Sequence, residues 1–122
     1  MKRKRILIVE DTEDNRQILR DLLTNAGFDL VEAHDGRSAV AAAAEFRPDL
    51  ILMDIQLPIL NGYEAIRQIK ADTALHPIPI IAVTSYALSG DREKARAAGC
   101  DGYVAKPFSP RQLLATVREL LD

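Results

Sequence analysis

Charged and hydroxyl side chains follow several apolar runs of the sequence. Glu10 and Asp11 come directly after RILIV, and Asp54 ends the run LILMD. Thr84 ends IPIIAVT, and Lys106 comes directly after DGYVA. A carboxylate nucleophile with a divalent cation, a lysine and a hydroxyl donor nearby can accept a phosphoryl group, because that transfer depends mainly on positioning and on neutralising oxygens. The pattern therefore suggests phosphoryl transfer, with Asp54 as the acceptor.

The three carboxylates of Glu10, Asp11 and Asp54 would repel one another in a shared pocket. Such repulsion raises at least one pKa unless a cation holds the groups in their charged state. A set of oxygen ligands matches Mg²⁺, and Lys106 supplies a second positive charge. An ionised carboxylate is costly to remove from water, so this interpretation expects Asp54 to be exposed at the end of its strand.

Each of these residues also has a simpler explanation. An acidic pair after a strand is commonly a turn or a helix cap, and an aspartate before a proline-containing loop is commonly part of a turn. Thr84 is ordinarily just a β-branched strand residue. The functional interpretation is favoured because all of these features fall at the same end of separate strands.

Strands and helices alternate along the chain, as judged from apolar periodicity and from capping residues. The strands are predicted at residues 5–9, 28–33, 49–54, 78–84 and 101–105. Helices are predicted before Gly27, after the cap residue Asp35, at residues 61–71 and 89–99, and from Pro110 onwards with Ser109 as cap. Five strand–helix units predict an α/β fold with a doubly wound parallel sheet. Its functional groups belong at the carboxyl ends of the strands.

Two kinds of strand are distinguished by their apolar pattern. The first, third and fourth are continuous apolar runs, which is typical of strands covered on both faces. The second, FDLVEA, alternates and is expected at an edge of the sheet.

Composition limits the function classes. A chain of 122 residues, 48% of them hydrophobic, is long enough for one core, so residues 1–122 are predicted to form a single domain. The net charge of −2 argues against direct binding of nucleic acid or of an anionic membrane. A single cysteine, Cys100, excludes an internal disulfide and fits a reducing compartment. We expect a cytoplasmic protein without a membrane partner.

Four segments resemble the receiver domains of bacterial response regulators, and together they span essentially the whole chain. They are ILIVEDTEDN, PDLILMDIQLPILNGYE, PIIAVTSYA and AGCDGYVAKPFS. The resemblance implies a flavodoxin-like receiver fold of five parallel strands in the order 2-1-3-4-5 with five helices. It also implies a role in two-component signalling.

The resemblance assigns a role to each acidic residue. Asp54 takes a phosphoryl group from a histidine kinase or a histidine phosphotransfer protein. Glu10 and Asp11 hold Mg²⁺ together with Asp54 and the backbone carbonyl of Gln56. Glu10 stands where aspartate is frequent in the family, which lengthens its reach to the metal. The side chain of Gln56 lies where its identity is thought to modulate how long the phosphoryl group survives.

The remaining site residues are implied in the same way. Lys106 pairs with the phosphoryl oxygens, across a cis bond to Pro107. Thr84 donates a hydrogen bond to a phosphoryl oxygen, and Tyr103 turns inward as Thr84 moves. This coupled motion shifts a pre-existing equilibrium and is the switch.

Two surfaces are implied for partners. The fourth helix, fifth strand and fifth helix report the switch, with candidate contact residues Tyr86, Leu88, Arg92 and Tyr103. The phosphodonor is received on a second surface that includes Asn15, Ile18, Pro107 and Phe108. Ile18 fits the core equally well.

The pattern leaves several functions open. The chain resembles stand-alone receivers without an output domain, which act as phosphorelay shuttles or as allosteric regulators of kinases, and it also fits a domain cut from a hybrid kinase. A monomer or a weak phosphorylation-dependent dimer is expected. It would catalyse its own phosphorylation and slow dephosphorylation but would not act as an enzyme on other substrates. The alternative is an adaptor that binds partners without being phosphorylated.

Two enzyme or cofactor classes fit the residues less well. A phosphatase of the haloacid-dehalogenase type needs an acid two residues after its nucleophile, where this chain has Gln56. In a flavodoxin, the first loop binds a phosphate, which EDTEDN would repel.

Overall fold

The computed structural model describes residues 3–84 and 90–121, in which strands and helices alternate. The strands are β1 (Arg5–Val9), β2 (Asp29–Ala33), β3 (Leu50–Asp54), β4 (Ile80–Thr84) and β5 (Gly102–Ala105). The helices are α1 (Glu13–Asn25), α2 (Gly36–Phe46), α3 (Gly62–Ala71), α4 (Asp91–Ala98) and α5 (Pro110–Leu121). None of the helices in the described ranges is long and apolar enough to cross a lipid bilayer.

All five strands are parallel and lie in the order β2-β1-β3-β4-β5. The predicted fold class and strand order are therefore confirmed. Every residue of β3 and β4 is buried, whereas β2 lies at an edge and is partly exposed. This difference follows from the sequence, because continuous apolar runs suit strands covered on both faces and alternation suits an edge.

Side chains of successive strand residues point to opposite faces of the sheet, so each strand contributes to two cores. Leu7, Ile51 and their neighbours pack on one face, against α2, α3 and α4. Ile8 and Leu52 pack on the other face, against α1 and α5. Both faces of the sheet are therefore covered, and polar groups of the strands can collect only at the strand ends.

Capping side chains begin three of the helices. The side chain of Asp35 accepts a hydrogen bond from the backbone N of Ser38 at the start of α2. The side chain of Asn61 accepts one from the backbone N of Glu64 at the start of α3. Ser109 accepts from the backbone N of Gln112 at the start of α5, as predicted from the sequence. These caps determine where the chain leaves each strand-end loop.

Four strands, β2 to β5, begin one or two residues later than predicted, and backbone hydrogen bonds explain the difference at β2 and β4. Phe28 is not in β2, because its backbone N donates to the carbonyl of Leu23 and closes the end of α1. Ile78 is not in β4, because its backbone N donates to the carbonyl of Leu75 in the preceding turn. The strands are aligned at their carboxyl ends, where Asp54 pairs with Val83. This alignment brings the loops after β1, β3 and β5 to one edge of the sheet.

Candidate functional site

Lys106 joins the ends of three strands at the carboxyl edge of the sheet. Its Nζ donates to Oε1 of Glu10 at 2.7 Å and to Oδ2 of Asp54 at 3.1 Å. Glu10 follows β1, Asp54 ends β3 and Lys106 follows β5, so residues far apart in the sequence meet in one ion-paired group. Burial lowers the pKa of Lys106, but its bond to Glu10 and its attraction to Asp54 outweigh burial and raise it. The ammonium therefore stays charged.

Asp54 is buried, with only 5% of its surface exposed, so the expectation that it would be exposed is wrong. The physical reason is that protein donors replace water around its carboxylate. Oδ1 accepts from the backbone N of Gln56 at 2.9 Å, and Oδ2 accepts from Lys106. A buried carboxylate is tolerated when it is hydrogen-bonded and paired in this way.

Glu10 is even more deeply buried than Asp54. Its Oε2 accepts from the backbone N of Asp11 at 2.8 Å, with a longer contact of 3.4 Å to that of Thr12. Burial raises the pKa of Glu10, but its hydrogen bonds, above all the one from Lys106, outweigh burial and lower this pKa to about 2. Glu10 is therefore ionised at every pH at which the protein would normally work.

The pKa of Asp54 moves in the opposite direction. Burial and the neighbouring charge of Glu10 raise it to about 6. The difference between the two acids has a geometric cause, since Nζ of Lys106 lies 2.7 Å from Glu10 and 3.1 Å from Asp54. Asp54 is therefore mostly ionised at neutral pH, but at a cost in free energy. Asp11 is exposed, and its contact with Glu10 raises its pKa as well.

The acidic group has the composition of a cation site. One carboxylate oxygen from each of Glu10, Asp11 and Asp54 lies within 4.8 Å of the others. Three carboxylates and one ammonium leave a formal charge of −2 on this group of four residues. A divalent cation would balance that charge, and hard oxygen donors are the ligands that Mg²⁺ prefers. The residues present therefore fit Mg²⁺.

Thr84 is fully buried at the end of β4, and it accepts a hydrogen bond from the side chain of Gln56 in the loop after Asp54. The Nε2 of Gln56 donates to Oγ1 of Thr84 at 2.8 Å. The family resemblance assigns a role to the backbone carbonyl of Gln56 but none to a contact between its side chain and Thr84. No local pattern indicates this bond, because the two residues are 28 positions apart.

Arg16 is a second residue that sequence analysis missed. Its guanidinium donates to the backbone carbonyl of Glu10 at 2.7 Å and also contacts Glu13 and Glu32. The contact holds the first turn of α1 against the loop that carries Glu10 and Asp11. An arginine six positions after an acid has no distinctive spacing, so only the path of the chain reveals this contact.

A groove of about 480 Å³ opens beside the acidic group. Its lining includes the four residues that were assigned to the phosphodonor surface, namely Asn15, Ile18, Pro107 and Phe108, together with Glu10, Leu19 and Lys106. Ile18 is 59% exposed, so it belongs to the surface and not to the core. The Lys106–Pro107 peptide bond is cis. An exposed isoleucine next to a charged group gives this groove both apolar and ionic character.

The other assigned surface is described only in part. The guanidinium carbon of Arg92, on α4, lies 5.0 Å from the centre of the Tyr103 ring on β5, which is a cation–π distance. Tyr103 is half-buried and packs against one of the two cores. Tyr86 and Leu88 lie outside the described residues.

Comparisons with known proteins agree with the resemblance found in the sequence. A model of the response regulator receiver domain matches residues 6–118. The polar-differentiation response regulator DivK of Brucella anthropi is 43% identical over 118 residues, which cover 97% of this chain and 96% of DivK.

Solved structures give the same result for the fold. The receiver domain of the sensor histidine kinase PA1611 from Pseudomonas aeruginosa superposes with a TM-score of 0.92 at 39% identity, covering 98% of each chain. That crystal structure holds a magnesium ion in its active-site cleft. The chemotaxis protein CheY4 of Vibrio cholerae superposes with a TM-score of 0.92 at 30% identity, covering 98% of this chain and all of CheY4.

Proposed function

The chain belongs to the response regulator receiver domains of two-component signalling, and on this basis we propose that Asp54 accepts a phosphoryl group from a phosphohistidine donor. The donor would be a histidine kinase or a histidine phosphotransfer protein. The contact that carries this proposal is the bridge from Lys106 to both Glu10 and Asp54, which holds the acceptor beside a fixed positive charge.

In this proposal, an oxygen of Asp54 attacks the phosphorus of the phosphohistidine. A P–O bond forms, the P–N bond breaks, and its electron pair stays on the imidazole nitrogen, which takes up a proton. The reaction needs an ionised acceptor, and a pKa of about 6 leaves Asp54 mostly ionised at neutral pH. Lys106 offsets the charge on the transferred oxygens, and the hydroxyl of Thr84 offers one donor to them.

Mg²⁺ would be held by Glu10, Asp11, Asp54 and the backbone carbonyl of Gln56. When bound, the ion neutralises charge on the phosphoryl oxygens. The support from this chain is the close acidic group and its unbalanced charge. The PA1611 receiver domain, which is 39% identical, carries a magnesium ion in its active-site cleft.

The protein is proposed to act as a switch and not as an enzyme on a separate substrate. It would catalyse its own phosphorylation and slow dephosphorylation. Phosphorylation would shift Thr84 and Tyr103 and so alter the surface of α4, β5 and α5, on which Arg92 already contacts Tyr103. The donor would dock in the groove that contains Asn15 and Ile18, because this groove opens directly onto Lys106.

For the output we propose two forms, a phosphorelay shuttle or an allosteric regulator of a kinase. Both would take place in the cytoplasm, with residues 1–122 acting as one receiver domain that is monomeric or forms a weak dimer when phosphorylated. The remaining alternative is an adaptor that uses the same surfaces without phosphorylation.

Intact mass of the purified protein tests the proposal. After incubation with Mg²⁺ and acetyl phosphate, we expect a labile gain of one phosphoryl group. The Asp54→Asn variant is the control and should show no gain. A wild-type protein that binds Mg²⁺ but gains no mass would contradict phosphorylation by small donors and favour the adaptor.

A further inference from the structure

Gln56 contacts both of the groups that the switch depends on. Its backbone N donates to Oδ1 of Asp54 at 2.9 Å, and its side-chain Nε2 donates to Oγ1 of Thr84 at 2.8 Å. One residue therefore connects the proposed acceptor at the end of β3 to the proposed phosphoryl-binding hydroxyl at the end of β4.

The surroundings of Thr84 make this bond significant. Thr84 is fully buried, and a β-branched side chain has few rotamers, so its hydroxyl changes position only by a discrete rotamer or backbone change. Gln56 is half-buried, which limits the access of water to its amide. A hydrogen bond between partly desolvated groups favours the arrangement in which it is made over one in which it is broken.

We propose that the side-chain amide of Gln56 is a latch that holds Thr84 in the arrangement of the unphosphorylated protein. A phosphoryl group on Asp54 accepts the Thr84 O–H proton and draws the hydroxyl toward Asp54, away from the position in which it accepts from Gln56. The latch therefore sets how far the switch equilibrium lies toward the inactive form. This inference rests on the proposed function, in which Asp54 is the acceptor and Thr84 binds the phosphoryl group. Gln56 acts here as a positioning residue.

Gln56→Met is the variant that isolates the latch. Methionine has a similar length and shape but cannot donate to Thr84, and the backbone N of residue 56 remains to bind Asp54. Gln56→Asn keeps an amide on a side chain one methylene shorter, so it should act in the same direction. Gln68→Met, on an exposed position of α3, is the matched control.

The first measurement uses the unphosphorylated, metal-free protein and does not depend on phosphorylation. Three-bond NMR couplings of the Thr84 side chain report its χ1 rotamer. We expect a single rotamer in the wild type and in Gln68→Met, and rotamer averaging in Gln56→Met and Gln56→Asn. Identical couplings in all four proteins would overturn the latch and leave the proposed function untouched.

The second measurement is the affinity for beryllofluoride in Mg²⁺, since this complex imitates a phosphoryl group on a carboxylate. We expect Gln56→Met to bind about three- to tenfold more tightly than the wild type, the range that corresponds to one net hydrogen bond. In a Thr84→Val background, the same substitution should change the affinity less than twofold. Equal or weaker binding by Gln56→Met would overturn the latch, whereas no binding by any protein would overturn the proposed function on which it rests.

Discussion

The guanidinium of Arg16 donates a 2.7 Å hydrogen bond to the backbone carbonyl of Glu10. The bond orients the loop between β1 and α1. Arg16 is not one of the acidic residues Glu10, Asp11 and Asp54, so it acts on them only through this loop. The loop also carries Asp11, so two of the three proposed carboxylate ligands of Mg²⁺ depend on its path.

Arg16→Met should therefore weaken Mg²⁺ binding. We expect a loss of about tenfold in affinity, the lower end of the range for residues that orient metal ligands. Isothermal titration calorimetry measures the effect. Arg20→Met is the matched control, since Arg20 contacts the same Glu13 and Glu32 and its removal deletes the same charge. Equal losses in the two variants would show that charge, and not the contact with Glu10, is responsible.

Asp54→Asn should stabilise the metal-free protein at pH 7. The pKa of Asp54 is raised from 3.8 to about 6, so the folded state binds the proton more tightly than the unfolded state does. The free energy of unfolding therefore falls as the pH rises from about 4 to about 6. Substitution by asparagine removes this cost, which is of the order of 1–3 kcal/mol.

Glu10→Gln is the opposite case and serves as the control. The pKa of Glu10 is lowered from 4.5 to about 2. Its charge therefore stabilises the fold at pH values above 4.5, and that stability is lost as the pH falls through about 2. We expect Glu10→Gln to be less stable than the wild type at pH 7. Urea unfolding in EDTA measures both variants, and a change of the same sign in both would refute the assignment of the two pKa shifts.

Asp35 is expected to stabilise α2 as its N-cap. Its side chain accepts from the backbone N of Ser38 at 2.7 Å, and this bond is the main reason that its pKa is lowered. Asp35→Ala should cost about 1 kcal/mol in the free energy of unfolding at pH 7. Because the pKa of Asp35 is lowered, its charge contributes stability at pH values above the ordinary pKa of 3.8. That contribution is lost as the pH falls through the lowered pKa.

The Asp35→Ser variant distinguishes the contribution of the capping hydrogen bond from that of the carboxylate charge. Serine keeps a capping oxygen, so we expect most of the stability at pH 7 to remain. Unfolding by urea at pH 7 and at pH 3 measures both variants against the wild type. If Asp35→Ser lost as much stability as Asp35→Ala, the hydrogen bond to Ser38 would not be the source of the stabilisation.

Lys70 is expected to stabilise the segments that lead into β4 and β5. Its Nζ donates to the carbonyls of His76 and Ile78 and to Oδ2 of Asp101, at 2.8–3.0 Å. Lys70→Met would leave three acceptors without this donor, and we expect a loss of about 2 kcal/mol in the free energy of unfolding. Thermal or urea unfolding provides the measurement.

Arg67→Met is the matched control for Lys70→Met. Arg67 lies on the same helix and forms an exposed pair with Glu64 at 3.1 Å. Exposed pairs of this kind contribute little, so the expected loss is below about 0.5 kcal/mol. Similar losses in the two variants would show that the contacts of Lys70 have no special weight.

The elements of this protein could be predicted from its sequence because their signals are local. Asp35 and Ser109 begin helices through bonds made within four residues, and the apolar runs of β3 and β4 indicate burial on both faces. The meeting of Glu10, Asp54 and Lys106 could also be predicted, since the carboxyl ends of parallel strands lie at one edge of a sheet. The strand order came from the family resemblance and not from these local signals.

Only the tertiary structure decided how the residues at that edge are arranged. The burial of Asp54 depends on donors from Gln56 and Lys106, and the second of these is 52 residues away in the sequence. The bonds from Gln56 to Thr84 and from Arg16 to Glu10 depend on the paths of loops, which periodicity does not encode. The sequence by itself therefore determined the fold and which groups could meet. The three-dimensional packing determined which of them are buried and paired, and in which direction their pKa values shift.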